Sequence, residues 1–222
     1  MYHEIAAHLR GLGTAGLELV TEFVFPPTCA GCNCSGTWFC PMCQERLVEL
    51  DQFRSGLSDH QMQLQARFLY VEPLRRAIHL LKYERQRARG AWFADQLLPL
   101  LHELGPMEAV LEPVPLTSRR ERERGFNQSR EIARHLAERT RIPVGNSLRR
   151  IRETRPQVEL NGLERIANVR GAFVAEHELS GKQVILIDDV ITTGATLREC
   201  AAASFEAGAS EVIGLAVATG SP

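Results

Sequence analysis

The stretch VILIDDVITTGATL, Val184 to Leu197, sets four consecutive apolar residues against two adjacent aspartates and then runs into Thr-Thr-Gly-Ala-Thr. A short, wholly apolar run of this kind suits a strand buried on both faces, as at the centre of a parallel sheet. In open parallel sheets ligands bind beyond the carboxyl ends of the strands, which is where Asp188 and Asp189 are expected. The segment Thr192, Thr193, Gly194, Ala195 and Thr196 then turns into a helix, so its N–H groups and hydroxyls converge where the helix dipole favours an anion. Gly194 permits close backbone approach. Carboxylates accept hydrogen bonds from sugar hydroxyls. Two carboxylates beside such a nest therefore match a ribose 5-phosphate.

Working outward, strand and helix patterns alternate. LQARFLYV and AVLEPVPL read as strands, the latter ending at Thr117-Ser118, which are plausible helix caps; KQVILID and EVIGLAVA read as strands too. PLRRAIHLLKYERQ, AWFADQLLPLLHEL, QSREIARHLAERT and ATLRECAAASFEAGA read as helices, and IPVGNSLRRI contains a further strand candidate. This alternation predicts an α/β fold, a parallel sheet flanked by helices. At 222 residues the chain accommodates one such domain and a small appendage. The expected organisation is an amino-terminal helix and four-cysteine module over residues 1–50, a polar linker over 51–63, and the α/β domain over 64–222.

Five of the six cysteines fall in CAGCNCSGTWFCPMC, Cys29 to Cys43. Cys29, Cys32, Cys40 and Cys43 form two C-x-x-C knuckles, together able to close a tetrahedral zinc site. Two disulfides and an iron–sulfur cluster are the alternatives, and Cys34 is a spare that competes with Cys32 for the fourth position. Four protein ligands leave no open position, so the metal is expected to be structural. Cys200, among alanines, reads as a small buried hydrophobe. Ahead of the cysteines, Ile5, Leu9, Leu12, Leu19 and Phe23 approximate one helical stripe. The nearby GLGTAG, Gly11 to Gly16, matches a dinucleotide fingerprint in letters only, since no strand precedes it.

The net charge is −1, but the charges are unevenly placed. From Glu112 to Arg170 there are 14 basic residues, all arginine, against 8 acidic ones. Such a segment suits phosphate, pyrophosphate or a nucleic-acid backbone, and the alternating signs of RRERER equally suit a solvated helix face. No apolar run reaches the roughly 18 residues that would span a bilayer, and the first 25 residues lack a signal peptide's uninterrupted apolar core. A cytoplasmic protein is expected.

Four apolar residues, Asp-Asp-x-x-Thr-Thr-Gly-x-Thr, resemble the phosphoribosyl-pyrophosphate (PRPP) signature of type I phosphoribosyltransferases. The four-cysteine module, LKY, PVPLTSRRERERGFNQS and RPQVELNGLERIANVRGAF ahead of that signature are together similar to the ComF (ComFC) competence-protein family. YERQRARG after Lys82 departs from the family, whose members usually place a glycine soon after the tyrosine. The resemblance implies that Asp188 and Asp189 hold the ribose 2′ and 3′ hydroxyls and that Thr192, Thr193, Gly194, Ala195 and Thr196 cradle the 5-phosphate. It also implies that LTSRRERERG, with Arg119, Arg120, Arg122 and Arg124, is the pyrophosphate loop, and that magnesium accompanies PRPP. Thr154 to Arg170 corresponds to a loop closing over the site. The family role implied is natural transformation, with single-stranded DNA and DNA-uptake proteins as partners.

Three functions stay open on the sequence. The first is a phosphoribosyltransferase with an unknown acceptor and no assigned acid or base. The second is a PRPP or nucleotide sensor without turnover. The third is a single-stranded DNA-binding competence factor, against which the middle segment offers only Phe126, with Phe173 just beyond it, as aromatics for stacking bases.

Overall fold

The computed structural model describes residues 26–50, 54–56, 62–84, 86–104, 108–153 and 162–220. The amino-terminal stripe and GLGTAG lie outside these residues. The chain divides into two compact units, Met1–Arg46 and Leu47–Pro222.

In the first unit the cysteine segment folds on local backbone bonds. Asn33 N–H donates to Cys29 O (2.9 Å) and Cys29 N–H to Cys34 O (2.8 Å), closing a tight turn that needs left-handed backbone at Asn33 (φ 64°). Asparagine tolerates that conformation better than most residues. The second knuckle opens the one-turn helix α1 (Pro41–Gln44), with proline in its first turn, where no donor is lost.

The second unit contains β1 (Arg54–Gly56), β2 (Met62–Leu69), α2 (Leu74–Tyr83), α3 (Arg89–Glu103), β3 (Ala109–Pro113), α4 (Ser118–Arg124) and α5 (Gln128–Thr140). It continues with β4 (Leu148–Arg150), α6 (Gly162–Val169), β5 (Phe173–Ala175), β6 (Gln183–Ile191), α7 (Ala195–Glu206) and β7 (Glu211–Thr219). The main sheet has the order β1-β2-β7-β6-β3, parallel throughout except for β1, and β4 and β5 form a separate antiparallel pair. Val184 to Ile187 of β6 are fully buried, as a central parallel strand requires. Each such side chain contributes roughly 1.5–3 kcal/mol.

Alternate strand positions face opposite layers. Leu64 and Ala66 of β2, Val184 and Leu186 of β6 and Val212 and Ala216 of β7 share a core with Leu197, Cys200 and Ala201 of α7. The intervening Leu111, Ile185, Ile187, Ile213 and Leu215 are equally buried, and α3 and α5 pack on these strands. Cys200 is thus the core residue its alanine-rich setting implied.

Three expectations change. Arg54–Gly56, inside the expected linker, pairs with β2 as an edge strand, Arg54 opposite Gln65. The strand expected through Leu116 ends at Pro113, and the arginine loop after it is the helix α4. Thr117 caps that helix by accepting from Arg120 N–H (3.3 Å), Arg119 pairs with Glu123 one turn on, and Gly125 (φ 84°) ends it. In the expected closing loop, residues 154–161 lie outside the described residues, whereas Gly162–Val169 is helical.

Candidate functional site

β6 does not stop before its aspartates. It continues to Ile191, with Asp188 opposite Ala216 and Val190 opposite Ala218 on β7, so the pair takes the sixth and seventh of the strand's nine positions. Small partners on an equally long β7 let the ladder continue. The pleat then sends successive side chains to opposite faces, which relieves the repulsion that side-by-side carboxylates would suffer.

Each aspartate has its own setting. Asp188 Oδ1 accepts from Ser129 Oγ (3.2 Å) and from Asp189 N–H (2.8 Å). Burial, and then the neighbouring Asp189 charge, push the Asp188 carboxyl up to about 7, against the opposing pull of Lys82. Asp189 is buried, and its Oδ1 lies 2.8 Å from Lys82 Nζ. Burial works against the lysine's charge, but Asp189 and then Asp188 overrule it and raise its pKa. The second oxygen, Asp189 Oδ2, is buried with no hydrogen-bond partner. An orphaned carboxylate oxygen is costly, and here it marks a place for a donor.

Beyond Ile191, residues 192–194 lead into α7. Gly194 is left-handed (φ 71°), and a Cβ there would lie 2.9 Å from Leu64 Cδ1, so glycine is dictated chiefly by conformation. Ala195 N–H leans on Thr193 Oγ1 (3.4 Å), Thr192, Thr193 and Thr196 are half-buried, and α7 begins at Ala195. Hydroxyls, amide donors and a three-turn helix start therefore stand just past the two carboxylates.

The motif RGFNQS, Arg124 to Ser129, has a physical account. Gly125 ends α4 and Phe126 is buried beneath the Arg87 guanidinium (5.3 Å). Asn127 caps α5, accepting from Ser129 N–H (2.9 Å) while its own amide donates to Val114 O (2.9 Å). Gln128 accepts from Arg124, and Ser129 reaches Asp188. The motif couples the end of α4 to the start of α5 and aims both at the aspartates.

The arginines separate into two groups. Arg119 points to solvent, paired with Glu123 and 72% exposed. Arg124 is half-buried, its guanidinium 5.3 Å above the Tyr83 ring; burial lowers its pKa, while Asp189 and Asp188 pull the other way. Arg150 of β4 is buried over Phe173 (5.1 Å), lowered by burial and by Arg120, and raised by Asp188. The basic groups whose fields reach the carboxylates are thus Lys82, Arg124 and Arg150, with Arg120 beside them. Lys82, Ser129 and Arg150 were missed as site residues. Nothing in their local sequence marks them, though Lys82 stands in the LKY that contributed to the family resemblance.

In the cysteine module, the thiols of Cys29, Cys32, Cys34 and Cys40 lie within 4.8 Å of one another. Cys32 and Cys40 are 3.7 Å apart, and a tetrahedron with metal–sulfur bonds of about 2.3 Å has edges of about 3.8 Å. Gly31 N–H and Cys40 N–H both point at Cys29 Sγ (3.4 and 3.3 Å), an arrangement that favours thiolate. Although burial opposes it, these backbone donors bring Cys29 down to about 6. The buried Cys43 contacts the same thiols, and burial and those neighbours push it up to about 12. The cluster fits a metal, with Cys34 and Cys43 as rivals for one position. All six cysteines stand as free thiols.

The phosphoribosyl transferase domain family matches residues 89–221. Competence protein F of Haemophilus influenzae is 33% identical over 153 residues, covering 64% of this chain and 66% of that protein. DNA utilization protein YhgH of Escherichia coli K12 is 33% identical over 149 residues, with the same coverage. Competence protein ComFC of Bacillus subtilis is 38% identical over 99 residues, covering 45% of this chain and 39% of that protein. The chain thus spans 66% of the length of the first two relatives. Among solved structures, Leishmania donovani UMP synthase is 21% identical with a TM-score of 0.36, covering 64% of this chain and 24% of that one, too loose a likeness to carry an argument. With the family match extending over more than half of its length, the chain belongs to the phosphoribosyl transferase domain family, as a homologue of competence protein F.

Proposed function

We propose that this protein binds PRPP with magnesium at Asp188 to Thr196 and transfers its phosphoribosyl group in a pathway of DNA uptake or use. The observation that carries the reading is Asp189 Oδ2, a buried acceptor without a donor, set just before a glycine-dependent turn of hydroxyls and amides. A ribose hydroxyl answers the first and a 5-phosphate the second. The names of the relatives support the link to DNA. Among the described residues no helix is long and apolar enough to cross a membrane, and a cytoplasmic location is part of the proposal.

In this reading the C1–O bond to pyrophosphate breaks, the electron pair leaving on pyrophosphate. The acceptor's lone pair forms the new bond to C1, and its proton passes to water. Positive charge develops on the sugar, so pre-placed charges carry the step rather than a strong base. Asp188 and Asp189 hold the hydroxyls on the developing cation. Arg124, with Arg120 and Arg150, faces the departing pyrophosphate; Arg119 is turned away and has no role. Magnesium, when bound with the diphosphate, supplies further charge neutralisation there.

The test is calorimetric titration with Mg-PRPP of the wild type and of the Asp188→Asn, Asp189→Asn double variant, followed by a pyrophosphate-release screen over heterocyclic bases. Each lost charge-assisted hydrogen bond should cost roughly 1.5–3 kcal/mol of binding. Unaltered affinity in the double variant would make the aspartates structural. Binding without pyrophosphate release for any acceptor would support a sensor.

Direct binding of single-stranded DNA is a second reading, favoured by the exposed Arg122, Arg130 and Arg149 and by the relatives' names. It requires affinity that falls steeply with salt and weakens in Arg120→Ala or Arg149→Ala without sequence preference. No retention of single strands at low salt in a filter assay would dismiss it for the chain alone.

A further inference from the structure

Lys82 lies outside the stretch that matches the phosphoribosyl transferase family, which begins at residue 89, yet it forms the ion pair at the heart of the site. It stands in the last turn of α2, whose Leu74, Ala77, Ile78, Leu80 and Leu81 are buried. That anchoring fixes where the lysine stem emerges. Its side chain is only 20% exposed, and Asp189 is 5% exposed. Both charges have therefore left most of their water for each other. Such a pair is retained more readily for positioning than for stability, because desolvation offsets much of its attraction.

The lysine engages only one carboxylate oxygen. Asp189 Oδ1 receives the ammonium, while Oδ2 is left buried and without a donor. The same unit contributes twice more. β2 places Leu64 beneath Gly194, and Tyr70, which follows β2, lies half-buried within the fields of Lys82 and Asp189.

We infer that Lys82 is a positioning residue of the ribose site: it engages Oδ1 of Asp189, balances the negative charge of the aspartate pair and leaves Oδ2 turned as an acceptor toward a ligand hydroxyl. The β2–α2 segment is on this view part of the site, although the family match does not reach it. The inference rests on the PRPP reading and deepens it. Without the lysine, the pull that opposes the upward shift of the Asp188 carboxyl would be gone, and the pair would hold a proton more of the time. The other groups around the pair are Ser129 of α5, Arg124 at the end of α4, Arg150 of β4, Cys200 of α7, and Tyr70 and Tyr83 beside Lys82. Arg124 is held by Gln128 and Tyr83 and Arg150 lies over Phe173, while Lys82 is in ion-pair contact with Asp189.

The test uses the full chain. In Lys82→Met, Mg-PRPP affinity should fall about tenfold or more at pH 7, and the loss should shrink to within threefold at pH 9, where the carboxylates ionise unaided. Lys82→Arg should stay within threefold of wild type throughout. A loss equal at every pH from 6 to 9, or none, would overturn the assignment. Carbon-13 carboxyl titration without ligand separates this inference from the PRPP reading. A higher apparent titration of the aspartate pair in Lys82→Met supports the role of Lys82 even if wild type binds no PRPP, whereas an unmoved titration overturns it whatever PRPP does. If Lys82→Met does not fold, the Lys82→Met, Asp189→Asn double variant, which buries neither charge alone, should restore folding; failure of the double to fold would mean that Lys82 serves packing.

Discussion

Replacing Asp188 by Asn should stabilise the protein, and only above a definite pH. The Asp188 carboxyl is carried from its ordinary 3.8 to about 7, first by burial and then by Asp189. Between these values the folded protein holds a proton that the unfolded chain has released. Stability is therefore fully present below about 4, falls as the pH rises, and is lost once the pH passes about 7. A shift of this size corresponds to at most about 4 kcal/mol of penalty on the charged form. Asparagine keeps the oxygen that accepts from Ser129 Oγ and Asp189 N–H while removing the charge. Urea unfolding at pH 4, 6 and 8 should show a gain for Asp188→Asn that is absent at pH 4 and reaches several kcal/mol at pH 8. In thermal melts this is a rise on the order of 10 °C for a chain of this length. The gain should come with weaker Mg-PRPP binding, the signature of strain kept for function. A variant less stable than wild type at pH 8, or a gain independent of pH, would refute the reasoning, for it would mean that Lys82 and the arginines favour the charged carboxylate more than burial opposes it.

Two further outcomes follow from the same geometry. Freshly purified protein should hold about one zinc per chain by elemental analysis, lost in Cys40→Ser and Cys43→Ser and kept in Cys34→Ser; the reverse pattern for the last two would move the fourth ligand to Cys34, and iron in place of zinc would end the assignment. Gly194→Ala should lower stability by about 1–2 kcal/mol, because alanine is strained in left-handed backbone, and should weaken Mg-PRPP binding through the displaced turn, a combination that equilibrium unfolding and calorimetry measure separately.

Much of this protein was legible in its residues because the relevant physics is local. The apolar run Val184 to Ile187, glycine at the head of a helix, and the 3.6-residue patterns of α2, α5 and α7 report their own surroundings. So do the C-x-x-C spacings. The helix α4 was locally written too: Thr117 as cap, Glu121 in the first turn and Gly125 at the end spell a helix, and reading the segment as a loop set the family's pattern above that signal.

What the sequence could not decide depends on which segments meet across the fold. The aspartates' surroundings come from β2–α2, α4, α5 and β4, brought together by a sheet order, β2-β7-β6-β3, that no local pattern specifies. Lys82 is 107 residues from Asp189 along the chain yet 2.8 Å from it in space. Arg119 and Arg124 look alike in RRERER, but helical geometry turns the first to Glu123 and solvent and the second toward Tyr83 and the carboxylates. Local sequence determines the elements and the ligand-binding turn, because backbone conformation and burial follow from nearest neighbours. Tertiary structure decides which charges the turn works with, because electrostatic partners are chosen by distance in space.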